Sequence, residues 1–156
     1  MRPGIVGSLV LALFGALAGC STPAPVTPPV EVSRALNPNE TPALRALIEE
    51  YSDAYDVPRN LVQRVVIRES RHRPEARNGP YYGLMQILPQ TARQMGYQGS
   101  PSGLLDAETN LKYAVKYLRG AWLVSGGNED AAVGWYARGY YYEAKKQGLL
   151  EETGLR

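Results

Sequence analysis

The chain has 156 residues, a formal net charge of +2, one cysteine and one histidine. So small a charge gives no basic field for a nucleic-acid partner, and a lone cysteine permits no internal disulfide. The sequence displays no metal-ligand cluster, no phosphate-binding glycine loop and no internal repeat, so neither metal nor cofactor is expected.

In chain order, Arg2 supplies a positive start, Ile5 to Leu17 form a short apolar run, and small residues lead to Cys20. A spanning helix needs ~20 apolar residues, so this run reads as a cleaved export signal over residues 1–19. Leu17-Ala18-Gly19-Cys20 resembles the lipobox of bacterial lipoproteins. That resemblance implies lipidation of Cys20 and, with Ser21 following it, an outer-membrane lipoprotein facing the periplasm, with the membrane as partner through the lipid anchor. The stretch 20–42 carries Pro23, Pro25, Pro28, Pro29, Pro38 and Pro42 with few large apolar residues, the composition of an extended spacer. Loss of Arg2 with the signal leaves the mature chain at +1. Residues 43–156 then suffice for one domain with one core.

Helical periodicity dominates that domain, and no alternating strand is expected. Thr41 and Pro42 offer an N-cap and N1 proline for a helix whose stripe is Leu44, Leu47, Ile48, Tyr51 and Tyr55. Asp56 and Pro58 open a second, which ends near Glu69 and Ser70 before Pro74. Pro89 begins a short third, with Ala92 and Met95 inward and Gly96 closing it. Asp106 caps a longer fourth with Leu111, Ala114, Val115, Leu118 and Trp122 on one face, stopped by Gly126-Gly127; Asn128 caps a fifth, with Glu129 and Asp130 in its first turn. The fold class is all-α.

Glu69 lies four residues after Val65, seven after Val62 and eight after Leu61, so a carboxylate shares the apolar stripe of the second helix. Burial and the helix C-terminus both disfavour its charged form, which suits a general acid. On position alone, a structural carboxylate paired with Arg68, Arg71 or Arg73 is the alternative. Seven tyrosines fall outside the clear core stripes: Tyr81, Tyr82, Tyr97, Tyr136, Tyr140, Tyr141 and Tyr142. Each serves either to stack on a sugar or to pack with a wet hydroxyl. His72 stands near Glu69 without the partners a triad or metal site requires.

The run from Glu69 to Ala92 resembles the signature of lytic transglycosylases of the soluble-transglycosylase (SLT) type, relatives of goose-type lysozyme. It holds Glu69-Ser70, then Pro74, Ala76 and Gly79, then Gly83-Leu84-Met85-Gln86 and Pro89-Gln90-Thr91-Ala92. Asn110 to Leu118 resembles a further family helix, and Tyr136 and Gly139 match an Ala-Tyr-Asn-Ala-Gly pattern in which Ala137 replaces the Asn and Arg138 the Ala. Gly79-Pro80-Tyr81-Tyr82-Gly83 departs from the more usual Gly-Ala-x-Gly. The resemblance spans roughly residues 44 to 142.

It implies a lysozyme-like helical domain and a peptidoglycan glycan strand as substrate, cut between N-acetylmuramic acid and N-acetylglucosamine to leave a 1,6-anhydro end. Glu69 would be catalytic, acting first as acid and then as base. Ser70, Met85, Gln86 and Tyr136 would be the substrate-binding residues. From the residues themselves, Met85 suits the core as well as a contact, Gln86 offers an amide to an N-acetyl group, and Ser70 is either a helper of Glu69 or a helix C-terminal hydroxyl. Other cell-wall proteins are further candidate partners. A goose-lysozyme-like hydrolase, which needs a water-activating carboxylate, and a non-catalytic glycan-binding lipoprotein are the competing readings.

Overall fold

A computed structural model describes residues 35–155; the expected export signal and Cys20 lie outside them. Helix α1, Pro42–Ala54, starts as the capping pattern dictates, with the Leu44 amide donating to Thr41 Oγ1 at 3.1 Å. Leu44 and Ile48 are buried, while Leu47, Tyr51 and Tyr55 pack half-buried against the core. Helix α2, Arg59–Glu69, buries Leu61, Val62, Val65 and Val66. Pro58 alone opens it, since Asp56 turns the chain in the left-handed region at φ 53°.

Between α2 and the next helix the chain forms a small antiparallel ribbon, β1 (Arg77–Asn78) with β2 (Tyr81–Tyr82), Arg77 opposite Tyr82 and Asn78 opposite Tyr81. Helix α3, Pro89–Gln94, turns Ala92 inward, and a 3₁₀ turn follows at Pro101–Leu105. Helix α4, Ala107–Val124, is the axis of the domain. Asp106 caps it through the Thr109 amide at 2.8 Å, and Leu111, Ala114, Val115, Leu118 and Ala121 are fully buried along it. At ~1.5–3 kcal/mol per large aliphatic side chain, that face alone outweighs any single polar contact in the molecule. Helix α5, Glu129–Arg138, begins at Asn128, whose Oδ1 accepts from the Ala131 amide at 2.9 Å.

Three features depart from the sequence reading. The ribbon was not expected, because two-residue strands are too short to display alternation. Helix α6, Tyr141–Gln147, was not expected either: it buries only Ala144, so it carries no stripe. Residues 37–40, compositionally part of the spacer, are tied to the folded unit by Glu40. Its buried carboxylate accepts from Asn37 and from Arg45, and from Gln63 of α2 at 2.7 Å. Burial pushes that carboxyl up, but these donors outweigh it and hold it at about 2.

Candidate functional site

Glu69 is the last residue of α2. The helix stops because Ser70 and Arg71 turn their amides back to Val66 and Ile67, and Arg71 and His72 then both adopt left-handed φ, at 54° and 61°. Such a pair of non-glycine residues is strained and persists only where the surroundings hold it. Here Asn39 Nδ2 donates to Arg71 O, Arg73 Nε donates to Ser70 O, and the buried His72 ring meets Gln63 Oε1 at 2.8 Å. This brake fixes where α2 ends, and with it where Glu69 stands.

The Glu69 side chain is 23% exposed, and burial raises its pKa above the ordinary carboxylate value. Arg68 Nε lies 3.5 Å from Oε1 and pulls the other way, but Arg68 is itself half exposed and burial prevails. Both sequence readings of Glu69 therefore hold a part: the ion pair exists, and the carboxyl is still biased toward its neutral form.

Opposite Glu69 stands the tight loop 82–88, built around Asn110. This fully buried side chain accepts from the Met85 amide at 2.9 Å and donates to Tyr82 O at 2.9 Å and Leu104 O at 2.8 Å. Gly83 lies against it at φ 75°, where a Cβ would come within 2.2 Å of Asn110 Nδ2 and 2.3 Å of Leu104 O. Only glycine fits there on both counts. The loop in turn sets Gln86, also left-handed at φ 48°, whose Nε2 donates to Ala76 O at 3.1 Å and Gly83 O at 2.8 Å. Two carbonyl acceptors identify that end as the nitrogen, so the amide oxygen is the atom Gln86 can offer to a ligand. Tyr136 of α5 closes the back wall: its hydroxyl donates to Met85 O at 2.8 Å and its ring meets Tyr117 edge-on at 5.5 Å. Burial, reinforced by Glu69 and Tyr117, pushes the Tyr136 phenol well above its usual range, so it stays a donor.

Glu69, Gln86 and Tyr136 line one cleft of about 340 Å³ together with Arg68, Asn78, Tyr81 and Ala137. A second lobe of about 290 Å³ shares Tyr81, Gln86, Tyr136 and Ala137 and continues past Tyr117 to Arg138 and Gly139. Each lobe is of ligand-site size. Among the described residues Glu69 is the one carboxylate lining either lobe. Asp106 caps α4, Glu108 accepts from the Tyr51 hydroxyl at 3.0 Å, and Glu75 is exposed on the connection after α2.

The structure does not bring Ser70 and Met85 to the cleft. Ser70 is buried with its hydroxyl on Val66 O, as a helix-end serine, and the Met85 side chain is wholly inside the core, so only its backbone takes part, as the acceptor for Tyr136. Of the seven tyrosines weighed for a sugar groove, Tyr97 and Tyr140 are core residues; Tyr140 lies against Gly120 and donates to Tyr117 O at 2.7 Å. Tyr82 is half-buried with Arg77 over its ring, while Tyr141 and Tyr142 stack edge-on at the surface. Sequence reasoning overlooked Asn110 as the organiser of the loop. The available signal was an amide four residues before Ala114 on the apolar face of α4. Among the described residues no group of three His, Cys, Asp or Glu side chains could hold a metal ion.

The family model of the transglycosylase SLT domain matches residues 46–151. No solved structure matches the chain.

Proposed function

Because the chain belongs to the transglycosylase SLT domain family, whose substrate is peptidoglycan, we propose that it is a lytic transglycosylase cutting the bond between N-acetylmuramic acid and N-acetylglucosamine without water. The observation that carries this reading is the solitary Glu69 in the cleft. Two-carboxylate glycosidases place a second acid ~5–9.5 Å from the first, and no other described carboxylate lines this site.

Glu69, whose carboxyl burial raises, gives its proton to the glycosidic oxygen as the C1–O bond breaks. The carbonyl oxygen of the substrate's own N-acetyl group shields the cationic C1, and we assign to Gln86 Oε1 the task of accepting the N–H of that group and so aiming it. The Glu69 carboxylate then takes the proton of the muramic 6-hydroxyl, whose oxygen closes on C1. No atom is gained or lost. The intramolecular attack draws on effective concentrations that reach ~10⁵ M, against which water competes poorly.

Mass analysis of products from purified murein tests the reading. Wild-type protein yields muropeptides one water lighter than hydrolysis products, with no reducing end on the muramic residue, and Glu69→Gln yields none. Reducing muramic ends as the main product would establish a hydrolase, and wild type without any product would leave a glycan-binding lipoprotein.

We infer also, from the Leu17-Ala18-Gly19-Cys20 sequence and the prolines after it, that Cys20 is acylated and holds the domain to the outer membrane on its periplasmic side. Mass spectrometry of the N-terminus decides this: a native Cys20 without lipid refutes it, and Cys20→Ala should abolish acylation and release the domain from the membrane fraction.

A further inference from the structure

The second lobe of the cleft ends on a cation that the proposed chemistry leaves idle. Arg138 is the last residue of α5, exposed, with its guanidinium 3.9 Å over the Trp135 ring. No described carboxylate pairs with it; of the two described arginines that line the cleft, Arg68 meets Glu69 and Arg138 meets none. Gly134, one turn earlier on the same helix, leaves room for this seat: a Cβ there would stand 2.7 Å from Nη1 and push the guanidinium off its present position along α5. Ala137 beside it keeps the lobe open. Stacking on an indole fixes the plane of an arginine while leaving its N–H edge toward solvent, and a fixed fork presented to a cleft suits a carboxylate in bidentate geometry.

The glycan backbone of peptidoglycan is neutral at its hydroxyl and acetamido groups. The carboxylates of a peptide-bearing strand are on the stem peptide, whose attachment turns the lactyl acid into an amide. We infer that Arg138 is a specificity residue that binds a free carboxylate of the stem peptide, so that the second lobe selects peptide-bearing over peptide-free strands. The inference rests on the lytic reading of the cleft for its substrate, but on Arg138, Trp135 and Gly134 for its chemistry.

The test compares three ligands: a muropeptide with free stem carboxylates, the same muropeptide with those groups converted to carboxamides, and a peptide-free strand with its lactyl carboxylate exposed. Binding is measured on Glu69→Gln protein, which holds the ligand without turning it over, with and without Arg138→Gln. Amidation of the stem should weaken binding about tenfold when Arg138 is present, the scale of one charge-assisted pair, and should change nothing once Arg138→Gln is introduced. Kinetics on active protein should show the same fall in the preference for free over amidated stems, expressed in KM and not in kcat. An amidation effect that persists in Arg138→Gln overturns the assignment. So does an Arg138→Gln loss confined to the peptide-free strand, which would move the contact to the lactyl group. If wild-type protein releases no anhydro product, the lytic reading fails by itself, and the binding arm still decides Arg138.

Discussion

Replacing Asn110 separates the frame of the site from its chemistry. In Asn110→Ala the Met85 amide and Leu104 O lose their side-chain partner inside the core, while Tyr82 O keeps the bond it accepts from the Ile87 amide. Each buried group left unsatisfied costs about 1–3 kcal/mol, so with the cavity the variant should lose roughly 3–5 kcal/mol, a large part of the ~5–15 kcal/mol that holds a domain together. Asn110→Asp is the sharper probe. One oxygen still accepts from Met85, but an anionic second oxygen would face two carbonyl oxygens that accept in the wild type. Only the protonated acid can donate to one of them. The folded-state pKa is therefore raised, and ionisation opposes folding. The Asp variant should be nearest to wild type below ~3.9, the unfolded value, and lose stability as pH rises from there to the folded pKa, by about 1.4 kcal/mol for each unit between the two. Urea unfolding followed through Trp122 and Trp135 measures both variants. A cost under ~1 kcal/mol for Ala, or an Asp variant parallel to wild type from pH 4 to 8, would refute the role given to this side chain.

Burial raises the Glu69 carboxyl, so its ionisation also opposes folding; Glu69→Gln should match wild type at low pH and exceed it at pH 7 in the same unfolding assay, and a Gln variant less stable at pH 7 would restore the structural ion pair as the main role of Glu69. Arg68 counters that burial, so Arg68→Gln should move the alkaline limb of the pH–activity profile upward, because the acid then stays protonated to higher pH; a downward move would contradict the assignment. The lowered Glu40 carboxyl contributes stability that is present above its unfolded value and lost as pH falls toward about 2. Glu40→Gln should therefore flatten the acid limb of the stability curve between pH 4.5 and 2, and an unchanged limb would assign acid lability elsewhere.

What could be read from the sequence follows the range over which each feature is encoded. Thr41, Asp106 and Asn128 declare their helices because a cap and its helix lie within three residues of each other. Glu69 was legible for a similar reason: its place on the stripe of α2 is a matter of counting turns. Met85 and Gln86 are adjacent in the same motif, and no local rule says which of the two side chains meets the cleft. That choice is made by Asn110, 25 residues away from Met85, which grips the loop from α4 and leaves Met85 pointing into the core. Tyr140 was equally opaque, since its burial depends on the missing side chain of Gly120 one helix earlier.

The same division bears on the proposal that one acid serves twice. A group that first gives and then takes a proton is best held near the middle of its range, and neither burial nor a neighbouring cation alone achieves that. Glu69 shares with the buried Val62 and Val65 the stripe that α2 turns to the core, and Arg68 is its neighbour in the chain. Both opposing effects thus travel with a single helix end. The brake at Arg71 and His72, with Asn39 and Gln63 holding it, has the remaining task of keeping that end in register with Gln86 and Tyr136. A shift of α2 by one residue would rotate Glu69 by about 100°, out of the cleft and away from both. The strain accepted at two left-handed residues is in this view what fixes the position of the acid, while its acidity is set independently by the stripe and by Arg68.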